Sequence, residues 1–146
     1  MRRMIGVGVV LLSAFVSFAS PAFGQQAGST GGDRGFQLRQ NYPNPFNPET
    51  RIPFSLRQGL FQQGKPVVVS IAIYNVLRQF VAIPTALNHP AGNGAAVDHL
   101  EYTQPGDYLA FWDGLDSNGK KVGSGIYIVR LEVNGQHIVQ KMTVAK

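Results

Sequence analysis

An all-β sandwich of about seven strands is the fold class that this sequence predicts, and three observations predict it. From Phe36 onward, short apolar runs alternate with polar residues, and no stretch holds a 3.6-residue period for three turns. Clusters of Gly, Pro, Asn and Asp interrupt these runs at the interval expected of hairpin-connected strands. Near the C-terminus, Asn134-Gly135 stands between two alternating runs, the strongest short hairpin signal there is. Strands this short bury their apolar faces only by packing sheet on sheet.

Taken in order, the first strand comes at Arg51 to Arg57, where Ile52, Phe54 and Leu56 share one face and Pro53 places the strand at an edge. Val67 to Tyr74 is rich in β-branched residues on both faces and reads as a central strand, with Val67, Val69, Ile71 and Ile73 facing the core. A turn through Val76-Leu77-Arg78 leads to a strand over Gln79 to Ile83, which Pro84 closes. In Asp107 to Trp112, Leu109 and Phe111 share one face and Tyr108, Ala110 and Trp112 the other, and both want cover. The last hairpin joins Gly125–Val133 to His137–Val144, with Tyr127, Val129, Leu131 and Val133 inward from the first arm and Ile138, Met142 and Val144 from the second. Between Pro84 and Gly106 turn formers dominate, with at most one short strand at Leu100 to Thr103, so that connection is either functional or ordered by its own packing.

Residues 1–24 read as a cleavable export signal: Arg2 and Arg3, an apolar run from Met4 to Phe18, then Ala22-Phe23-Gly24 before the expected cut at Gln25. The run falls short of the ~20 apolar residues that span a bilayer, so no stable membrane span is expected. Residues 25–35, with four glycines among polar residues, read as a flexible leader, and residues 36–146 as the sandwich. Losing Arg2 and Arg3 leaves 11 basic residues of 13 against eight acidic ones, so the net charge falls from +5 to +3. The remaining cations are scattered singly apart from Lys120-Lys121, which does not suit a phosphate backbone, and no nucleic-acid partner is expected. With no cysteine, the fold relies on packing alone, and thiol chemistry and cysteine-bound metal are excluded.

The run Asn41-Tyr42-Pro43-Asn44-Pro45-Phe46-Asn47-Pro48 has three X-Pro bonds that bias the chain away from helix, giving a stiff extended arm with Phe46 as its apolar peg. Asp113 and Asp116 precede Asn118-Gly119, where carboxylates can cap backbone N–H groups and glycine supplies positive φ. Gly125 is expected to permit close backbone approach as the chain enters the sheet. The arm, followed by Thr50-x-Ile52-x-Phe54-x-Leu56, resembles the opening of the type A C-terminal sorting domains of type IX secretion, which are FlgD-like immunoglobulin-like domains. That resemblance continues through Ile73-Tyr74-Asn75-Val76-Leu77, Trp112-Asp113-Gly114-x-Asp116-x-x-Gly119 and Ser124-Gly125-Ile126-Tyr127, and ends with Lys141-Met142 and Lys146. Family members usually carry Gly where this chain has Arg78, and their counterpart of the Pro84 to Gly106 connection is shorter. Family domains also follow a large passenger, whereas the residues ahead of Phe36 read here as signal and leader.

What the resemblance implies is an immunoglobulin-like module that outer-membrane secretion machinery recognises for translocation from the periplasm to the cell surface or medium. Recognition would use the last hairpin, Lys141 to Lys146 and the Asn41 to Pro48 arm, by display and without catalysis. The rival expectation is a structural or adhesive cell-surface module that pairs an open strand edge with another protein, or binds glycan through Tyr102, Tyr108 and Trp112.

No cofactor and no metal site is expected. His89, His99 and His137 show neither zinc spacing nor a neighbouring nucleophile, and Ser124-Gly125 lacks the upstream glycine of a nucleophile elbow because residue 122 is Val. A calcium loop counted back from Gly119 would begin at Gly114 and close on Gly125, neither of which can coordinate, so Asp113 and Asp116 read as turn caps.

Overall fold

Alternation sets the layers. The computed structural model describes residues 34–146, and the expected signal and most of the leader, residues 1–33, lie outside them. Nine strands form among the described residues: β1 (Phe36–Leu38), β2 (Thr50–Leu56), β3 (Val67–Asn75), β4 (Phe80–Ala82), β5 (Thr85–Leu87), β6 (Leu100–Tyr102), β7 (Gly106–Trp112), β8 (Gly125–Val133) and β9 (Gln136–Val144). One antiparallel sheet has the order β1-β2-β7-β5, the other β4-β3-β8-β9. The short β6 pairs with Val67, Val68 and Val69 of β3, and β4 pairs with Ile73 and Tyr74, so the two share one edge of that strand.

The two sheets bury their inward faces against each other. Ile52, Phe54 and Leu56 of β2 and Tyr108, Ala110 and Trp112 of β7 form one side of the core. Val67, Val69, Ile71 and Ile73 of β3, Val129, Leu131 and Val133 of β8, and Ile138, Met142 and Val144 of β9 form the other. Each of the larger aliphatic and aromatic side chains contributes about 1.5–3 kcal/mol relative to exposure, which is the main source of stability in a chain without disulfides. Two tyrosines latch strand starts: the Tyr108 hydroxyl donates to Gln104 O and the Tyr127 hydroxyl to Gly123 O, each four residues upstream. Immunoglobulin-like sandwiches use a tyrosine corner of this kind.

Several expectations change. The strands number nine rather than about seven, because β1 and β5 are three-residue pieces too short to show a period. Pro53 does not mark an edge: β2 lies between β1 and β7. The Arg39 N–H donates to Pro53 O at 2.9 Å just past the end of β1, so the donor that proline lacks falls where the ladder has already stopped. Arg34 and Gly35, placed by sequence in the leader, are tied to the sandwich by Arg57 N–H to Gly35 O and by the Arg34 guanidinium to His137 O, both at 2.8 Å. Glycine is needed at Gly125 for its φ of +147°, not for close approach, since a Cβ there would meet open space. Close approach occurs at Gly114, where a Cβ would collide with the Pro48 carbonyl oxygen.

The Pro84 to Gly106 connection is ordered by its own packing. Ala86 N–H donates to Ala95 O and Gly94 N–H to Ala86 O, folding the chain back along β5. Asn88 accepts from Leu109 N–H at 2.9 Å and donates to Asp107 O at 3.1 Å, while Val97 is fully buried.

Candidate recognition surface

The arm and the C-terminal strand, far apart in sequence, meet along one edge. Asn41 is buried and its Nδ2 donates to Thr50 Oγ1 at 3.0 Å and Pro43 O at 3.2 Å, while Thr50 Oγ1 donates to Pro43 O at 3.1 Å. This satisfied polar knot holds the arm bent between two isolated bridges, Tyr42 to Arg51 and Phe46 to Val144, rather than extended as the sequence suggested. Phe46 is the peg: 1% exposed, its ring edge-on to Trp112 at 5.3 Å. Its N–H donates to Thr143 O and its carbonyl accepts from Ala145 N–H, both at 3.0 Å. Asn44 Oδ1 accepts the Thr143 N–H at 3.0 Å, and Gln40 donates to Lys141 O at 3.1 Å while accepting from Gln140 Nε2 at 2.8 Å.

Met142 is buried beneath this edge, while Lys141 and Lys146 are exposed beside it. Tyr42, Pro43, Asn44, Pro45, Asn47 and Pro48 are exposed too, so the arm presents a proline-rich outer surface over an anchored Asn41 and Phe46. The sequence offered no local signal for Gln40, Gln140 and Thr143, because each bonds across about a hundred residues of chain.

The neighbouring turn is built as caps. Asp113 Oδ1 accepts from Leu115 N–H at 3.0 Å, and Asp116 Oδ1 accepts from Asn118 N–H at 2.9 Å and Lys120 N–H at 3.0 Å. Gly114 and Gly119 take φ of +76° and +78°. Trp112 Nε1 donates to Leu115 O at 2.9 Å, locking the turn to the core against which Phe46 packs.

The three aromatics considered for sugar stacking are core residues: Tyr102, Tyr108 and Trp112 are 0%, 6% and 2% exposed. Burial, and then the adjacent Tyr108 phenol, push the Tyr102 hydroxyl far above its ordinary 10.0, and burial raises Tyr108 as well. His89 is bound into the loop through Ala91 N–H and Glu101 O and lies edge-on to Tyr102 at 4.6 Å. His137 is exposed on β9, as its place in the alternation indicates. Among the described residues no cluster of three or more His, Asp or Glu could hold a metal, and no helix is long and apolar enough to cross a membrane.

No protein family matches the sequence, and no curated protein does. Among solved structures, PorZ, a bacterial surface component of the type IX secretion system of Porphyromonas gingivalis, aligns at 16% identity and TM-score 0.43, over 82% of this chain and 13% of that one. The alkylpurine DNA glycosylase AlkC of Pseudomonas fluorescens, bound to abasic-site DNA, aligns at 16% identity and TM-score 0.46, over 77% and 31%. This chain therefore spans less than a third of either neighbour. At such distance the two alignments carry no argument about function.

Proposed function

We propose that this chain is a non-catalytic module displayed to outer-membrane export machinery, in the manner of the type IX sorting domains it resembles in sequence, and carried through the periplasm to the cell surface or medium. The observation that carries the reading is the junction of the Asn41–Pro48 arm with Thr143 and Ala145, which joins the first and last pieces of the motif set into one surface. Anchored by Phe46, that surface reaches a partner already ordered, so little entropy remains to be lost on docking. The rival mode, strand addition to an open edge, finds three of the edge strands, β4, β5 and β9, already bonded by the chain's own irregular segments. Val81 O in β4 accepts from Ser117 N–H, Ala86 in β5 bonds Ala95 and Gly94, and Thr143 in β9 bonds the arm.

The test must leave the fold intact. Removing Gln140 to Lys146 would take buried Met142 and Val144 out of the core, so loss of export would follow from unfolding alone. Lys141→Glu combined with Lys146→Glu alters only exposed side chains. Fractionation of cells producing this variant is expected to find it folded and held in the periplasm, and its undiminished appearance outside the cell would defeat the proposal.

A further inference from the structure

We infer that the outer face of the β4-β3-β8-β9 sheet is a second binding surface, a groove that takes an acidic side chain of a partner polypeptide together with its apolar neighbours. Tyr74, Arg78, Ile128, Arg130, His137 and Val139 line a shallow groove of about 530 Å3. Register explains the grouping: Ala72, Arg130 and Val139 stand in one row across β3, β8 and β9, and Tyr74, Ile128 and Lys141 in the next. Phe80 extends the apolar wall, half exposed and edge-on to Tyr74 at 6.3 Å. Val139 is 52% exposed, an apolar residue on the outer face of a strand whose Ile138, Met142 and Val144 are core.

Charge decides what would fill it. Arg78, Arg130 and Lys141 share this face with two acids, Glu132, which lies 3.3 Å from Arg130, and Glu101 of β6, which stands opposite Val68 outside the groove lining. Arg78 has no ion pair among the described residues. The Arg130 Nε–H is shut away from solvent with no acceptor, so a shift of that side chain toward a carboxylate would break no bond at Nε and would give it a partner. Guanidinium groups suit carboxylates because their planar fork bonds both oxygens and sheds water readily. Concavity favours a protruding side chain over a flat lipid surface, and apolar walls around two cations call for an acidic residue flanked by apolar ones. The face shares Lys141 with the export surface but not the arm or Lys146, and its test alters Arg78 and Arg130 alone, so the two readings can fail separately.

Selection of the full chain against a library of displayed random peptides tests it. The expected result is enrichment of sequences carrying Asp or Glu beside aliphatic or aromatic residues, bound about tenfold more weakly by Arg78→Glu and by Arg130→Glu. Arg130→Lys, which keeps the charge and loses the fork, is expected to weaken binding as well. Arg130 lies in a strand, so its variants are read after a thermal melt shows them folded, whereas Arg78 is exposed in a turn and gives an independent answer. Failure to enrich acidic peptides, binding unchanged in Arg78→Glu, or capture by phosphatidylglycerol vesicles in place of peptides would each overturn it.

Discussion

Tyr102 and Arg78 show two ways in which single side chains sit at a cost to this fold. The Tyr102 hydroxyl is fully buried and has no hydrogen-bond partner among the described residues, a state that costs about 1–3 kcal/mol. Tyr102→Phe keeps the ring contacts with Phe54 and Tyr108 and removes the orphan, so chemical denaturation is expected to show a gain of about 1 kcal/mol. The sign of the pH effect follows from the raised ionisation of the folded phenol. Above pH about 10 the unfolded chain gives up the tyrosine proton while the folded chain keeps it, so stability present below that pH is lost as pH climbs. Denaturation melts from pH about 9 upward should show this loss in the parent and a smaller one in Tyr102→Phe, and equal slopes would refute the assignment. Arg78 holds φ at +61°, which costs a non-glycine residue about 1–2 kcal/mol. Glycine there adds about 0.5–1 kcal/mol of backbone entropy, so Arg78→Gly is expected to stabilise by only about 0.5 kcal/mol, read as a small rise in Tm.

At the scale of elements, β9 carries both core and display, and truncation separates the two. Deleting Gln140 to Lys146 removes buried Met142 and Val144 and the pairing of β8 from Gly125 to Val129, a loss expected to exceed about 5 kcal/mol and to leave the chain unfolded by circular dichroism. Deleting Lys146 alone should change stability by less than about 0.5 kcal/mol. The long strands were legible because their periods are: β3, β8 and β9 run nine residues each, enough for alternation to declare which face is buried. β1 and β5 were not, since three residues carry no period and both are held by partners distant in sequence. For the same reason the turn caps at Asp113 and Asp116 could be read from local spacing, whereas the bonds from Gln40 and Asn44 to the last strand could not. Pro53 misled because a missing N–H bars a strand from the sheet interior only where a neighbour still asks for it.

Across the whole molecule, the two sheets leave strand edges, and the chain spends its irregular segments on covering those of β4, β5, β6 and β9. The loop back through Gly94 and Ala95 lies along β5, Ser117 caps β4, His89 bonds Glu101 in β6, and the arm with Arg34 occupies β9. An uncovered edge is a template for another strand, so these segments are expected to keep the sandwich from pairing with itself. The arm is the cover most easily released at its C-terminal half, where Phe46 anchors it against Trp112 and bridges Val144, while Asn41 holds the other half to Thr50. Phe46→Ala is expected to cost about 3–5 kcal/mol and to free the N–H and carbonyl of Thr143. Under conditions where the variant remains folded, sedimentation should then show association that grows with protein concentration and is absent from the parent. A folded Phe46→Ala protein that stays monomeric at every concentration would mean that the arm serves display alone, and that the β9 edge is protected by its twist or its exposed lysine instead.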